Sequence, residues 1–338
     1  MNIAYVTIYG DVYSKDRIFD INSCKIGQNL LAPGIQLKKE IEQKGYSFHT
    51  ADMYKLEDID ILIFQDLSNN SKVTIRSFAD RIKYILKGKK KEDYLWKAIK
   101  SPKKIEKVLI MQEPEVVCPL SYDTQYHKYF DKILTWNPDM LISDKYFLFH
   151  YPQPCPSKKY AVQYEKKRFL TMIAGNKSSN VENELYSKRR EAISFMDKNN
   201  IEFDLYGIGW EKENLLCYKG VVDDKLETLS RYKFCICYEN QCNINGYITE
   251  KIFDCFFSGV VPIYWGAKDV GKYIPDNCFI DRRKFKTLDE LMEYLFNIKE
   301  SEYNYYIRNI EKYISNDSFY KTFSADAYVK NILGILKI

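Results

Sequence analysis

The stretch Tyr232–Gly266, YKFCICYENQCNINGYITEKIFDCFFSGVVPIYWG, decides the fold of this chain. It begins with an apolar strand, passes through a loop rich in Asn, Gln and Gly, and ends in a second apolar strand, VVPIYW. Between them lies a predicted helix that stops at Gly259. Its apolar residues recur at the spacing of one helical face: Ile248, Ile252, Phe253 and Phe256. The stretch therefore predicts a strand–loop–helix–strand unit of a parallel sheet.

A unit of this kind is typical of a diphosphate-binding site. It places backbone N–H groups and the positive end of a helix dipole at one edge of the sheet. The predicted helix start carries Lys251, which supplies charge for a phosphate, with Glu250 and Tyr247 beside it as hydrogen-bonding groups. We interpret the segment as the donor site of a nucleotide-sugar enzyme.

The order of motifs carries a more specific resemblance. YKF-x-I-x-YEN, GYITEK, an apolar helix, SG, VPIYWG and a later IPDNCFID resemble the signature block of the α1,3-fucosyltransferases, glycosyltransferase family 10. Two further stretches fit the same family: VLIMQEPE, and FLTMIAGNKSSN followed by YSKRREAISFM. The N-terminal hundred residues contain no matching motif. The loop Gln241–Asn245 is longer than the form that is commoner in the family. The donor sugar that this loop contacts can therefore differ from fucose.

The resemblance implies an enzyme of bacterial or viral type that transfers L-fucose from GDP-β-L-fucose to a glycan hydroxyl with inversion. The expected acceptor position is O3 of N-acetylglucosamine or glucose. The family includes both α1,3 and α1,4 linkages, and the sequence does not separate them. The expected partners are GDP-fucose and an oligosaccharide acceptor, with no nucleic acid.

Apolar strands alternate with amphipathic helices along the whole chain, the pattern of an α/β fold. In the first half the predicted strands are Ile3–Ile8, Ile59–Phe64, Lys107–Met111 and Lys132–Thr135. The predicted helices there are Gly34–Lys44, Thr74–Leu86 and Glu92–Lys100. In the second half the predicted strands are Phe169–Ala174, Phe203–Tyr206, Tyr232–Tyr238, Val260–Tyr264 and Phe279–Asp281. The predicted helices are Glu184–Lys198, Asp224–Ser230, Ile248–Phe257, Leu288–Asn297 and Glu302–Ile314.

A proline-rich segment, residues 151–157, predicts a stiff connector between two domains. We expect an N-terminal, acceptor-binding Rossmann-like domain over residues 1–155 and a C-terminal, GDP-sugar-binding one over 160–322. Two such domains facing across a cleft form the GT-B architecture, which the resemblance also implies. By the same resemblance, a C-terminal helix within residues 323–338 packs back on the first domain.

Fucosyl transfer needs a base for the acceptor hydroxyl, and a placed carboxylate typically contributes about 10²–10⁴ in rate. Glu113 follows the strand Lys107–Met111 in the turn QEPE. In the family, an acid directly after this strand is the proposed base, and Glu113 aligns with it. Glu115, two residues on, remains the competing candidate on the acceptor side.

Lys251 and Arg189 are predicted to neutralise the donor diphosphate, since an arginine can contact phosphate oxygens in a bidentate manner. A shift of one residue in the alignment would select Arg190 instead. Glu250 is predicted to accept hydrogen bonds from the ribose or to face the developing cationic sugar. The remaining predicted donor contacts are Tyr247, Asn240 and Asn176.

The chain offers little for a metal site. A metal-dependent GT-A enzyme would need an Asp-x-Asp after a strand, whereas Asp58-Ile59-Asp60 precedes one and Asp223-Asp224 is typical of a helix N-cap. Nine cysteines without a C-x-x-C pair, together with three histidines, indicate neither a disulfide framework nor a zinc site. Because Lys251 and Arg189 can replace a cation, we expect no cofactor and no obligatory metal.

The composition indicates the cellular compartment of the protein and the partners that it can have. The 338 residues, 46% hydrophobic and 29% charged, suit two ordinary domains. No apolar run is long enough to span a membrane, and the cysteine pattern suits reduced thiols, so we expect a cytoplasmic protein. The Lys-rich stretches Lys87–Lys91 and Lys103-Lys104 are either solvated surface or a means of peripheral attachment to the inner membrane face.

Two other functions stay open. The longer loop allows a related transferase that uses another GDP-sugar, and the same fold could serve a non-catalytic glycan-binding protein. Binding of nucleic acid is disfavoured, because the net charge is only +5 and no basic motif occurs.

Overall fold

The computed structural model describes residues 1–24, 30–68, 93–156, 158, 160 and 162–338. These residues form two compact units, each built on a parallel sheet covered by helices. Unit 1 comprises described residues of Met1–Cys24, Leu31–Phe149 and Val329–Ile338, and unit 2 comprises Leu30 and those of His150–Tyr328. The predicted α/β fold with two Rossmann-like units is confirmed.

The sheet of unit 1 has the strand order β2-β1-β3-β4-β5-β6, and every pair in it is parallel. Its strands are β1 Asn2–Thr7, β2 Ser47–Thr50, β3 Ile61–Gln65, β4 Glu106–Met111, β5 Lys132–Thr135 and β6 Tyr146–Leu148. Its helices are α1 Gly10–Tyr13, α2 Ala32–Gln43, α3 Tyr94–Lys100 and α4 Thr124–His127. The predicted helix Thr74–Leu86 lies outside the described residues, as does Lys87–Lys91.

The interior strands of unit 1 are buried on both faces, which explains their near-continuous apolar sequences. In β3, Ile61, Leu62, Ile63 and Phe64 are all at most 3% exposed. Helix α2 begins two residues before the prediction, because Pro33 fits the first helical turn, where its missing N–H needs no partner. Strands β2 and β6 were not predicted.

The sheet of unit 2 has the order β11-β10-β9-β7-β8, and its strand pairs are again parallel. Its strands are β7 Arg168–Ile173, β8 Phe203–Tyr206, β9 Tyr232–Tyr238, β10 Val261–Trp265 and β11 Ile280–Asp281. Its helices are α5 Tyr186–Lys198, α6 Lys225–Ser230, α7 Glu250–Phe257, α8 Leu288–Asn297, α9 Glu300–Ile314 and α10 Asp317–Phe323, before α11 Ala325–Leu336. Each helix and strand predicted here is present within two residues of its expected bounds, and α10 is additional.

Strand β9 divides two apolar cores. Phe234, Ile236 and Tyr238 face the core that α5 and α8 cover. Cys235 and Cys237 face the core under α7 and α10, where they pack as small apolar side chains. The connection from β7 through α5 and that from β9 through α7 thus lie on opposite faces. The strand order reverses between β7 and β9, because β8 is added on one side of β7 and β9 on the other. Ligands of parallel sheets bind beyond the carboxyl ends of strands at such a point.

Residues of the predicted connector pack within unit 2. Gln153 is 2% exposed, and its backbone N–H donates to the carbonyl of Phe323 at 2.6 Å. In unit 1, the side-chain amide of Asn331 in α11 donates to the carbonyl of Leu148 at 3.3 Å. Within the described ranges, no helix is both long and apolar enough to cross a bilayer.

Candidate active site

A buried carboxylate fixes the junction between β9 and α7. Glu239 follows the last residue of β9, and its side chain is fully buried. Its Oε1 accepts from the backbone N–H of Thr249 at 2.9 Å, and its Oε2 accepts from the hydroxyl of Thr249 at 2.7 Å. Thr249 is the N-cap of α7. Glu239 therefore sets the position at which the helix, and with it Lys251, begins.

Lys251 lies between two carboxylates. Its Nζ is 3.1 Å from Glu239 Oε2 and 3.5 Å from Glu250 Oε1. Burial lowers the pKa of Lys251, but the two carboxylates outweigh it and raise that pKa. Burial raises the pKa of Glu250, but Lys251 and Lys225 outweigh it and lower the pKa to about 2. Both side chains are therefore charged at neutral pH.

Arg189 reaches the end of β9 from α5. The side chain is 6% exposed, and its Nη2 donates to the carbonyl of Tyr238 at 2.7 Å and to Asn240 Oδ1 at 3.0 Å. Burial lowers the pKa of Arg189, although an arginine stays charged at any ordinary pH. Two predicted donor residues, Arg189 and Asn240, are thus in direct contact.

Lys225 and Asp254 complete the cluster, and neither was predicted. Lys225 Nζ is 2.5 Å from Asp254 Oδ2. Burial lowers the pKa of Lys225, but Asp254 and Glu250 outweigh it and raise that pKa. Together with Arg189 and Lys251, Lys225 lines a cavity of about 20 Å³, which suits one water-sized group. We call the six charged residues the donor cluster: Arg189, Lys225, Glu239, Glu250, Lys251 and Asp254.

Asn176 lies beyond the end of β7 and contacts the alternative arginine. Its amide donates to the carbonyl of Gly209 at 2.8 Å and to Glu213 Oε1 at 3.2 Å. Arg190, which is exposed, donates through Nη2 to Asn176 Oδ1. Asn176 and Arg190 therefore form one hydrogen-bonded pair, while Arg189 belongs to the donor cluster.

Tyr247 lies in the loop before α7. Its side chain is 1% exposed, and its ring centroid is 6.4 Å from that of Tyr151. Its carbonyl accepts from the hydroxyl of Tyr264 at 3.3 Å. Its predicted contact with the donor stays a prediction.

In unit 1, Glu113 follows β4 and is held at three points. Its backbone N–H donates to Asp66 Oδ2 at 3.0 Å, and its carbonyl accepts from the hydroxyl of Tyr122 at 3.0 Å. Its carboxylate Oε1 accepts from the hydroxyl of Tyr9 at 3.2 Å. Glu113 is half-buried, whereas Glu115 is exposed. The acid after the strand is therefore the more firmly positioned of the two candidates.

Asp66 is a buried neighbour of Glu113 that sequence reasoning missed. It follows β3, is 2% exposed, and has a φ of 59°, a left-handed conformation that Asp adopts more readily than most residues. Ser121 donates to its Oδ1 at 3.2 Å. Burial, together with the charge of Glu113, raises the pKa of Asp66 well above its ordinary value. The surroundings of Asp66 thus disfavour its charged form.

Across the described parts of both units, no three His, Cys, Asp or Glu side chains are grouped so that they could hold a metal ion. Asp60, the second aspartate of the sequence Asp58-Ile59-Asp60, accepts a hydrogen bond from the backbone N–H of Asn2 at 2.7 Å. It also forms an ion pair with Lys103 at 2.9 Å. Asp224 caps α6 by accepting from the backbone N–H of Glu227 at 2.8 Å, so its predicted capping role is confirmed.

Gly266 closes the VPIYWG motif against the donor cluster. A Cβ at this position would lie 2.4 Å from Cγ of Glu239 and 2.4 Å from the hydroxyl of Tyr264. We expect Gly266→Ala to lower the free energy of unfolding by about 1–3 kcal/mol, since buried side chains would have to move. Urea denaturation of the variant and the wild type measures the difference.

Gly34→Ala is the matched control for this substitution. Gly34 lies in α2, and a Cβ there would meet no atom within 4 Å. Since alanine favours a helix more than glycine does, we expect no loss of stability. A Gly266→Ala protein as stable as the wild type would contradict the tight contact with Glu239.

The sequence of this chain is similar to those of known fucosyltransferases. Residues 164–327 match the family model described as glycosyltransferase family 10 (fucosyltransferase), C-terminal domain. An α-(1,3)-fucosyltransferase of Helicobacter pylori is 33% identical over 186 residues, which are 52% of this chain and 36% of that protein. An α-(1,4)-fucosyltransferase of Arabidopsis thaliana is 42% identical over 67 residues, 20% of this chain and 16% of that protein. The matched regions thus span about a third or less of these relatives.

Two solved structures have a similar fold. A crystal structure of an α1,3-fucosyltransferase with GDP-fucose has a TM-score of 0.55 at 17% identity, and the match covers 100% of this chain and 90% of that one. A structure of T4 phage BGT in complex with UDP and Mn²⁺ has a TM-score of 0.57 at 12% identity, with complete coverage of both chains. At these identities the likeness establishes the GT-B fold class alone.

Proposed function

We propose that this chain, which matches the model of glycosyltransferase family 10 over residues 164–327, is a member of that family and transfers L-fucose from GDP-β-L-fucose to a glycan hydroxyl. The observation that carries the proposal is the donor cluster, in which Lys251 and Arg189 meet at the end of β9 inside that family domain. A structurally similar α1,3-fucosyltransferase was crystallised with GDP-fucose, which supports the same donor here.

The donor cluster limits how a diphosphate can bind. The formal charges of its three basic and three acidic side chains cancel, and its cavity of about 20 Å³ is too small for a diphosphate. The phosphates would therefore lie against the accessible parts of the side chains and compete for Lys251. Glu250, with 39% of its side chain exposed, can give up its ion pair with Lys251 to a phosphate. Glu239 cannot, because its side chain is fully buried.

On the acceptor side we propose Glu113 as the base of an inverting displacement, with O3 of N-acetylglucosamine or glucose as the attacking group. The hydrogen bond from Tyr9 would orient its carboxylate, and the bond from its backbone N–H to Asp66 would hold the turn. Lys251 and Arg189 would stabilise the departing GDP, as charge-assisted contacts to phosphate do. Under this proposal the protein needs neither a cofactor nor an obligatory metal.

The proposal is tested by measuring GDP release from GDP-fucose with N-acetyllactosamine, lactose or chitobiose as the acceptor, with and without EDTA. Acceptor-dependent release that survives EDTA would support metal-independent fucosyl transfer, and NMR of the product would give the linkage. A requirement for a divalent cation would reject the metal-free mechanism. Failure of the protein to bind GDP-fucose would reject the assignment of GDP-fucose as the donor substrate.

The same assay with GDP-mannose in place of GDP-fucose tests whether the protein uses another GDP-sugar. The longer loop that suggests this alternative is held in place: Gln241 donates through its side chain to the carbonyl of Glu182 at 2.9 Å. The backbone N–H of Cys242 donates to the carbonyl of Asn183 at 2.8 Å.

Faster turnover with GDP-mannose would favour the related transferase, and binding of glycans without any GDP release would favour the non-catalytic protein. Cytoplasmic location and peripheral attachment through Lys87–Lys91 stay predictions.

A further inference from the structure

A second pocket in unit 2 lies where β9 and β10 end, on the face covered by α5 and α8. Its volume is about 330 Å³, within the range of about 300–1,000 Å³ that is usual for small-molecule sites. We call it the Arg282 pocket. The lining residues that matter here are Lys188, Glu191, Tyr238, Trp265, Arg282 and Lys286.

The charge of the Arg282 pocket is positive and partly uncompensated. Its one lining carboxylate, Glu191, pairs with Lys188 at 2.6 Å. Arg283, which also lines the pocket, pairs with Asp281 at 2.8 Å. Arg282 and Lys286 have no carboxylate within ion-pair distance in the described part of the chain. Two positive charges are therefore available to an anion.

Arg282 is held rigidly although it lacks a counter-charge. The residue is 9% exposed, its Nη1 donates to the carbonyl of Phe285 at 2.7 Å, and its guanidinium lies 5.7 Å from the ring centroid of Trp265. A buried guanidinium without an anionic partner is costly, because it has lost water without gaining an opposite charge. An anion in the pocket would offset that cost.

Two buried polar atoms here lack a well-aligned hydrogen bond among the described residues: Nε of Arg282 and the hydroxyl oxygen of Tyr238, which lies near the guanidinium of Arg282. Burial raises the pKa of Tyr238 to about 12, although the positive charge of Arg282 and its hydrogen-bonding interaction with the hydroxyl oppose this rise. The hydroxyl therefore keeps its proton at neutral pH and can donate. Each buried donor left unpaired costs about 1–3 kcal/mol, so a ligand with several acceptor oxygens would satisfy both.

We propose that the Arg282 pocket binds a small phosphomonoester. A phosphate group carries about −1.5 to −2 charges at pH 7 and three acceptor oxygens, which match Arg282, Lys286 and the hydroxyl of Tyr238. The rings of Trp265 and Phe285 offer an apolar wall for the organic part. None of these residues belongs to the donor cluster, so the site does not depend on the proposed function.

The test is calorimetric titration of the whole protein with phenyl phosphate at constant ionic strength. We expect Arg282→Met and Lys286→Glu each to weaken binding at least about tenfold, the loss of one charge-assisted contact. Lys284→Glu is the matched control, since Lys284 is an exposed lysine two residues from Lys286 and lies outside the pocket lining. It should leave the Kd within about twofold. Tyr238→Phe removes only the hydroxyl and should also weaken binding.

Saturating GDP separates this site from the donor cluster. Phenyl phosphate that still binds in the presence of GDP, with the same dependence on Arg282 and Lys286, would support the pocket. Displacement by GDP, or equal binding by wild type, Lys286→Glu and Tyr238→Phe, would overturn the proposal, as would no binding to the wild type. Phenyl sulfate, which has a single charge, should bind more weakly, and equal affinity would reject the preference for a phosphomonoester.

Discussion

Replacing Glu113 with Gln is expected to lower kcat for fucosyl transfer by about 10²–10⁴-fold, the usual contribution of a placed general base. An amide keeps the size of the side chain and can still accept the hydrogen bond from Tyr9. It cannot take a proton from the acceptor hydroxyl. Because the substitution leaves every residue of the donor cluster in place, we expect the affinity for GDP-fucose to stay unchanged. Steady-state GDP release and calorimetric binding of GDP-fucose measure the two effects.

Glu115→Gln is the matched control, since it makes the same change two residues further on at an exposed site. We expect this control to retain kcat within about twofold, as exposed charges contribute little. A large loss in Glu115→Gln with activity retained in Glu113→Gln would move the base to Glu115. Weaker binding of GDP-fucose by Glu113→Gln would show that Glu113 acts on the donor and not on the acceptor.

Asp66 is a poorer candidate for the base than either glutamate. Its side chain is 2% exposed, and both carboxyl oxygens already accept hydrogen bonds, one from the backbone of Glu113 and one from Ser121. Its raised pKa favours the neutral form, which cannot accept a proton. Its contribution is to fix the turn that presents Glu113.

Local sequence patterns were sufficient for most of the architecture. Parallel strands that are buried on both faces have continuous apolar sequences, so β3 and β9 could be recognised without knowledge of their neighbours. The start of α7 was predictable because Thr249 caps it and apolar residues recur at helical spacing. Strands β2 and β6 were not predicted because each is short. SFHT is in addition partly polar, and YFL has only three residues.

The charge pairs of the site were less predictable, since each joins residues far apart in sequence. Lys225 in α6 meets Asp254 in α7, and nothing in either helix alone indicates the pair. Glu239 was visible as the acid that directly follows β9, but its bonds to Thr249 and Lys251 depend on how the intervening loop folds back. The Arg282 pocket likewise combines α5, the ends of β9 and β10, and the segment after β11.

Lys251→Met is expected to lower the free energy of unfolding by about 3–5 kcal/mol, the usual cost of removing one partner of a buried ion pair. The reason lies in Glu239, whose side chain is fully buried and whose only ion-pair partner within the described residues is Lys251. Methionine fills a similar volume but leaves that carboxylate without a cation. Urea denaturation measures the stability, and calorimetry with GDP-fucose measures the affinity, which we expect to fall at least about tenfold.

The double variant Glu239→Gln/Lys251→Met separates the structural role of Lys251 from its role in donor binding. Removing both charges abolishes the uncompensated carboxylate, and Gln can still accept from the backbone N–H of Thr249. We therefore expect most of the lost stability to return, as it does when both members of a buried pair are replaced. Affinity for GDP-fucose should stay low, because the diphosphate still lacks its cation. Recovery of donor affinity together with stability would show that Lys251 serves only to hold α7 in place.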